Sequence, residues 1–334
     1  MKTQIEIEEA HRQERNGTTY PYMKWLENSS PGQCFTLSPT FVKLLSTICF
    51  YVDAPICVYV HGGYWQEEAI NHRNNVFPTK CLHKNGIKSI FIGYELCPHV
   101  TIEEMVRNIE KAVGRCLDYG KTHKTRNVDW LVTTSWSTYG PGNLLFPTRR
   151  LWSVRVLDGS GRYECWTVLL DSAWLWLSVG DAAELELGLY LIGHSAGAHL
   201  MTMLFTTFIP SLSEEDQLLF KGAFLICGLY DLTPLVKTRA NEALELDEDS
   251  AREVSPLHRR LSAIGTNFYV IVAQHDSPVF FKQGRQFHDH LLGFGLSSKY
   301  VSVENVDHYE IIENLINEEF QLTQIIIQTV TTQA

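Results

Sequence analysis

Five short segments of the chain are apolar at nearly every position: residues 56–60, 89–94, 189–193, 222–227 and 268–273. Their content of Ile, Val, Leu and Phe is that of strands buried on both faces of a sheet. A sixth segment, 299–304, alternates more. Between these segments the period turns helical. Residues 101–117 place Met105, Val106, Ile109 and Val113 on one face, and 198–208 and 280–292 predict two further helices. A last helix over 309–320 collects Ile311, Ile312, Leu315 and Ile316. Strand alternating with helix predicts an α/β fold: a mostly parallel central sheet with helices on both faces.

Two regions break this rhythm. Residues 1–50 show no clear strand pair, although two antiparallel edge strands would be natural there. Residues 127–187 are apolar patches interrupted by Gly, Pro and Ser, without a sustained period. Composition marks this second region further. It holds six of the 8 Trp in the chain and has no Lys, His, Ile or Met.

A net charge of −10 argues against a nucleic-acid partner, since phosphate binding needs a basic surface. The N-terminal residues are charged throughout, so no secretory signal is expected. The longest apolar run, 166–180, is interrupted by Asp171 and too short to span a bilayer. The 8 cysteines form no CxxC and no zinc-finger spacing, which predicts reduced thiols packed as small hydrophobes.

The chemistry is concentrated at the ends of the predicted strands. Gly193-His194-Ser195-Ala196-Gly197 follows one buried strand and opens a helix. A G-x-S-x-G pattern in that setting is a nucleophile elbow, with Ser195 raised at a helix N-terminus. His61-Gly62-Gly63-Tyr64-Trp65 follows another strand. There the backbone N–H groups of Gly62 and Gly63, with that of Ala196, can hold an oxyanion. His61, Tyr64 and Trp65 are candidates for the pocket wall. A serine needs a base and the base an orienter, in the chain order Ser, Asp, His. Asp276 ends the strand Phe-Tyr-Val-Ile-Val-Ala, and His308 stands before the last helix. Asp231 competes for the role of the acid, one strand earlier. Asp307 should point away from His308. His194 and His199 read as packing or capping groups and His275 as a neighbour only.

Together these residues resemble the kynurenine formamidase (arylformamidase) family of the α/β-hydrolase superfamily. The resemblance rests on HGGYWQ at 61–66, YELCPHVT at 94–101, GHSAGAHL at 193–200, GLYDLTPL at 228–235, AQHDSPVF at 273–280 and DHYEIIENL at 307–315. It covers roughly residues 54–126 and 188–320. It implies an α/β-hydrolase fold and hydrolysis of N-formyl-L-kynurenine to L-kynurenine and formate in tryptophan catabolism. Ser195 is then the nucleophile, Asp276 the acid and His308 the base, with no metal and no organic cofactor. It further implies a small-molecule substrate, no nucleic-acid or membrane partner, a homodimer, and a cytoplasmic setting with the nucleus as a second compartment. A small-acyl carboxylesterase shares all of this machinery, and a catalytically impaired hydrolase-fold variant is the third reading.

The chain departs from the family in two places. Residues 1–50 hold only an echo of the family's edge strands, and residues 127–187 intervene before the nucleophile strand. Such an insertion reads either as a translated non-coding stretch or as a subdomain. Its lack of periodicity and small size favour the first. The expected organisation is one hydrolase domain over 1–334 with that Trp-rich stretch interposed.

Overall fold

The computed structural model describes residues 35–37, 54–124, 151–157, 163–169 and 188–332. Seven strands form one sheet: β1 (Phe35–Leu37), β2 (Ile56–Val60), β3 (Lys88–Ile92), β6 (Leu189–His194), β7 (Phe220–Ile226), β8 (Asn267–Ala273) and β9 (Ser297–Val303). Their spatial order is β1-β3-β2-β6-β7-β8-β9, and every pairing in it is parallel. A separate antiparallel pair joins β4 (Leu151–Leu157) to β5 (Tyr163–Leu169), with Val154 opposite Trp166. This ladder lies in the stretch expected to lack a period. Side-chain alternation within a short hairpin is easily lost among flanking Gly, Pro and Ser.

Every residue of β2, β3 and β6 is buried, the polar Lys88, Ser89 and His194 included. Helix α1 (Thr79–Lys84) precedes β3, and α2 (Ile102–Lys124) follows it. The start of α2 is fixed by a capping box: Glu104 N–H donates to Thr101 Oγ1 and Thr101 N–H donates to Glu104 Oε2. Its buried face is Ile102, Met105, Val106, Ile109, Val113, Cys116 and Leu117, the three-and-four spacing read from sequence. Helix α3 (Ala196–Met203) follows β6 and α4 (Pro278–Gly293) follows β8. Ser277 caps α4 with Pro278 in its first turn.

The C-terminal expectation needs correction. In place of one helix over 309–320 there is a single turn, α5 (Glu310–Glu313), then a 3-10 turn over Asn314–Ile316. The Cys81 thiol donates to the Ile316 carbonyl, which a continued helix would have claimed. Helix α6 (Gln321–Thr332) comes afterwards and was not foreseen. Its Ile, Val and Thr content is poor in helix propensity, but Leu322, Ile326 and Val330 stack one turn apart in the core. Of the expected antiparallel edge strands in residues 1–50, one three-residue strand is described, and it runs parallel to β3. The rest of 1–50, and most of 127–187, lies outside the described residues.

Because the strands run the same way, their C-terminal ends share one edge of the sheet. His61, Ser195, Cys227, Asp276 and His308 all follow strand ends on that edge.

Candidate active site

The elbow is forced by a close approach. A Cβ at position 197 would sit 2.2 Å from the Val60 carbonyl oxygen and 2.5 Å from that of His61, so only glycine lets α3 cross the end of β2. Ser195 takes the strained turn, with φ 52 and ψ −118, while its N–H donates to the Ile226 carbonyl at 2.8 Å. The Ala196 amide opens α3, so no earlier helical carbonyl can accept from it.

The loop after β2 closes over this elbow. A Cβ on Gly62 would meet His194 Nδ1 at 2.8 Å and Ser195 Cβ at 3.2 Å. Gly63 has φ +109, a conformation that side chains avoid. Two donors converge on the Gly62 carbonyl: His61 Nδ1 at 2.7 Å and the Tyr94 hydroxyl at 3.0 Å. The Tyr94 ring also stacks on His61, with centroids 4.5 Å apart. In a trans peptide the next N–H points opposite to the carbonyl. Holding the Gly62 carbonyl in place therefore aims the Gly63 N–H the other way. Burial lowers the His61 pKa to about 4, so the ring is a neutral donor.

Asp276 and His308 meet on the same edge. His308 Nδ1 donates to Asp276 Oδ2 at 2.9 Å, and the second oxygen accepts the Ser277 N–H at 2.8 Å. The loops bearing them are stitched together: His275 N–H donates to the Val306 carbonyl at 3.0 Å, and Asn305 N–H to Gln274 Oε1 at 2.7 Å. His194 ties His308 to the elbow. Its Nε2 donates to the His308 carbonyl at 2.8 Å, and the two rings are 4.8 Å apart. Burial, then the neighbouring His308, pushes the His194 pKa well down, so it stays neutral.

The rival residues lie elsewhere or do other work. Asp231 accepts from Thr233 and pairs with His258 at 3.2 Å. Asp307 caps α5 through the N–H groups of Tyr309 and Glu310. His275 is exposed, and His199 is buried. Two pocket assignments require correction. Trp65 has no exposed surface, and its indole N–H donates to His199 Nδ1 at 3.2 Å, so it is core and cannot line an accessible pocket. His61 is buried and serves its own loop, as described. Tyr64, half-buried and edge-on to Trp65, retains exposed surface.

Two curated relatives match most of the chain. A kynurenine formamidase of Salmo salar is 28% identical over 282 residues, covering 83% of this chain and 73% of the relative. One of Danio rerio is 27% identical with the same coverage. Among solved structures, an esterase of Pyrobaculum calidifontis has a TM-score of 0.53 at 14% identity, covering 84% of this chain and 77% of its own. Carboxyl esterase 2 of the mycorrhizal fungus Tuber melanosporum gives 0.51 at 16%, covering 84% and 78%. The chain has the α/β-hydrolase fold and is similar in sequence to the kynurenine formamidases. No protein-family model matches it.

The sequence does not reveal the contacts of Tyr94 or Cys227. Tyr94 lies in the YELCPHVT segment, but its hydroxyl reaches the loop after β2 only because β3 pairs with β2. Among the described residues one set of donor atoms is close enough to hold a metal ion: Cys227, Asp276 and His308, within 4.8 Å of one another. Two of these groups, His308 and Asp276, are engaged with each other by a hydrogen bond. Cys57, Cys81, Cys97, Cys116 and Cys227 are free thiols. No helix among the described residues is long and apolar enough to cross a membrane.

Proposed function

We propose that this hydrolase converts N-formyl-L-kynurenine to L-kynurenine and formate, a step of tryptophan breakdown. The observation that carries the reading is the Asp276–His308 pair, 2.9 Å apart and tied through His194 to the elbow of Ser195. Relatives named kynurenine formamidase supply the substrate.

The chemistry follows from the arrangement. His308 accepts the Ser195 hydroxyl proton as Oγ attacks the formyl carbon. The amides of Gly62, Gly63 and Ala196 receive the oxyanion. When the tetrahedral adduct collapses, the C–N bond breaks and the His308 proton passes to the departing arylamine. Water, deprotonated by His308, then attacks the formyl ester of Ser195 and releases formate. Asp276 holds the imidazole in the required tautomer and steadies its charged form. A formyl group is small, so the acyl side can be tight while Tyr64 borders the aryl side.

Formate release from N-formyl-L-kynurenine by the purified chain, and its loss in Ser195→Ala, tests the reading. A small-acyl carboxylesterase is the second reading, favoured by the esterases that share its fold. A kcat/KM for p-nitrophenyl acetate well above that for N-formyl-L-kynurenine would establish it. Folded protein whose Ser195 resists a fluorophosphonate would show an impaired hydrolase.

A further inference from the structure

Cys227 is fully buried where β7 ends, one residue after Ile226, and the formamidase reading gives it no task. Its backbone is left-handed, with φ 49, and its N–H donates to the Ile271 carbonyl at 2.7 Å. A non-glycine residue in that conformation is held there by its surroundings. Its sulfur lies in one cluster with the Asp276 carboxylate and the His308 ring, the three donor atoms within 4.8 Å of one another. The Asp276 side chain is only 3% exposed, so little water reaches it. Its oxygens accept from Ser277 N–H and His308 Nδ1. A desolvated carboxylate with two donors still has lone pairs to satisfy.

We propose that Cys227 is a positioning residue whose S–H is the third donor to the Asp276 carboxylate and thereby sets how strongly Asp276 draws the Nδ1 proton of His308. This inference rests on the serine-hydrolase reading. The thiol remains protonated, because burial and then the Asp276 charge push its pKa well up. It is therefore a donor and not a nucleophile. The other ionisable groups facing the cluster are His194 from β6, Asp307 from the turn before α5, Tyr230 from the loop after β7 and Tyr300 from β9. His194 is neutral and burial keeps both phenols protonated.

The direction of the effect is set. Removing a donor makes the carboxylate more basic, which favours imidazolium and raises the pH at which His308 becomes a free base. The test compares wild type with Cys227→Ala, Cys227→Val and Cys227→Ser in the full chain. The rate of fluorophosphonate labelling at Ser195 is followed against pH. In either non-donor variant the acid limb moves up by about half a pH unit, as loss of one weak hydrogen bond to a charged group implies. In Cys227→Ser a stronger donor moves it below wild type. A limb that stays in place in a folded non-donor variant, with labelling slowed equally at every pH, means Cys227 only packs, and the inference fails. If neither non-donor variant folds, Cys227→Ser decides: a limb at or above wild type overturns the role. Folded wild type that does not label at all sinks the triad reading itself. Labelling with unmoved limbs sinks only the part assigned to Cys227.

Discussion

The helix that carries Ser195 is held by a histidine that must stay neutral, and this predicts how the protein responds to acid. His199 sits one turn after Ser195, fully buried, accepting from Trp65 and donating through Nε2 to the Val254 carbonyl at 2.7 Å. That pair of bonds needs one protonated and one bare nitrogen. Burial lowers its pKa from 6.5 to about 4, and does the same for His61. In the unfolded chain both titrate near 6.5. As pH falls through that value, the unfolded state binds protons that the folded state refuses. The stabilisation is therefore complete above pH 6.5 and is lost towards the folded value. For a shift from 6.5 to 4, each ring loses about 2 kcal/mol between roughly pH 7.5 and pH 5, and the two together about 4 kcal/mol. A typical domain has only about 5–15 kcal/mol in total. The perturbation is His199→Gln, which keeps an amide donor for Val254 and cannot titrate. Urea unfolding is measured for both proteins at several pH values. The variant is less stable at pH 7.5, and the gap narrows by about 2 kcal/mol at pH 5. Parallel curves would show that His199 protonates freely in the folded state, and the argument would fail.

Four further outcomes follow from the site. Asp276→Asn leaves the fold intact but lowers kcat by about 10⁴, because the imidazole loses its orienting acceptor; steady-state kinetics check this. Tyr94→Phe removes one of two donors to the Gly62 carbonyl, and kcat drops about tenfold at constant KM, short of the 10²–10³ for a lost oxyanion donor. Gly62→Ala puts a methyl 2.8 Å from His194 Nδ1, so fluorophosphonate labelling is abolished while circular dichroism is unchanged. Deleting residues 127–187 raises soluble yield by removing six Trp and leaves the labelling rate unchanged; loss of labelling in a folded deletion variant would count against this.

What could be read from the sequence is what local pattern controls. Runs such as Ile56–Val60 and residues 189–193 are strands because nothing else buries five such residues in a row against helices on two sides. Chain order then brought Asp276 and His308 to the same edge. Long-range contacts were hidden. Trp65 looked like a pocket aromatic, since nothing local shows that His199, 134 residues away, takes its indole N–H. Tyr94 and Cys227 act through atoms that only the sheet order brings near the site. Helix α6 was missed because propensity and packing disagree there and packing wins.

The parallel sheet also separates the point where the chain enters β6 from the elbow of Ser195. Residues after α2 re-enter the sheet at Gly188, whose carbonyl accepts from Ile56 N–H at 2.8 Å, while Leu189 N–H donates to the Leu219 carbonyl at 2.7 Å. These bonds anchor the N-terminal edge of β6. Ser195 follows the other end of that six-residue strand, about 20 Å away at about 3.3 Å per residue. The strained backbones at Tyr64, Ser195 and Cys227 lie on that far edge, each following the end of a strand of the central sheet. Holding a non-glycine residue in such a conformation costs about 1–3 kcal/mol. The cost is met by core residues such as Leu191, Phe224 and Val270, all without exposed surface. Changes at the N-terminal edge therefore act on this chemistry chiefly through the stability of β2, β6 and β7, whereas a single methyl at position 62 acts on it directly.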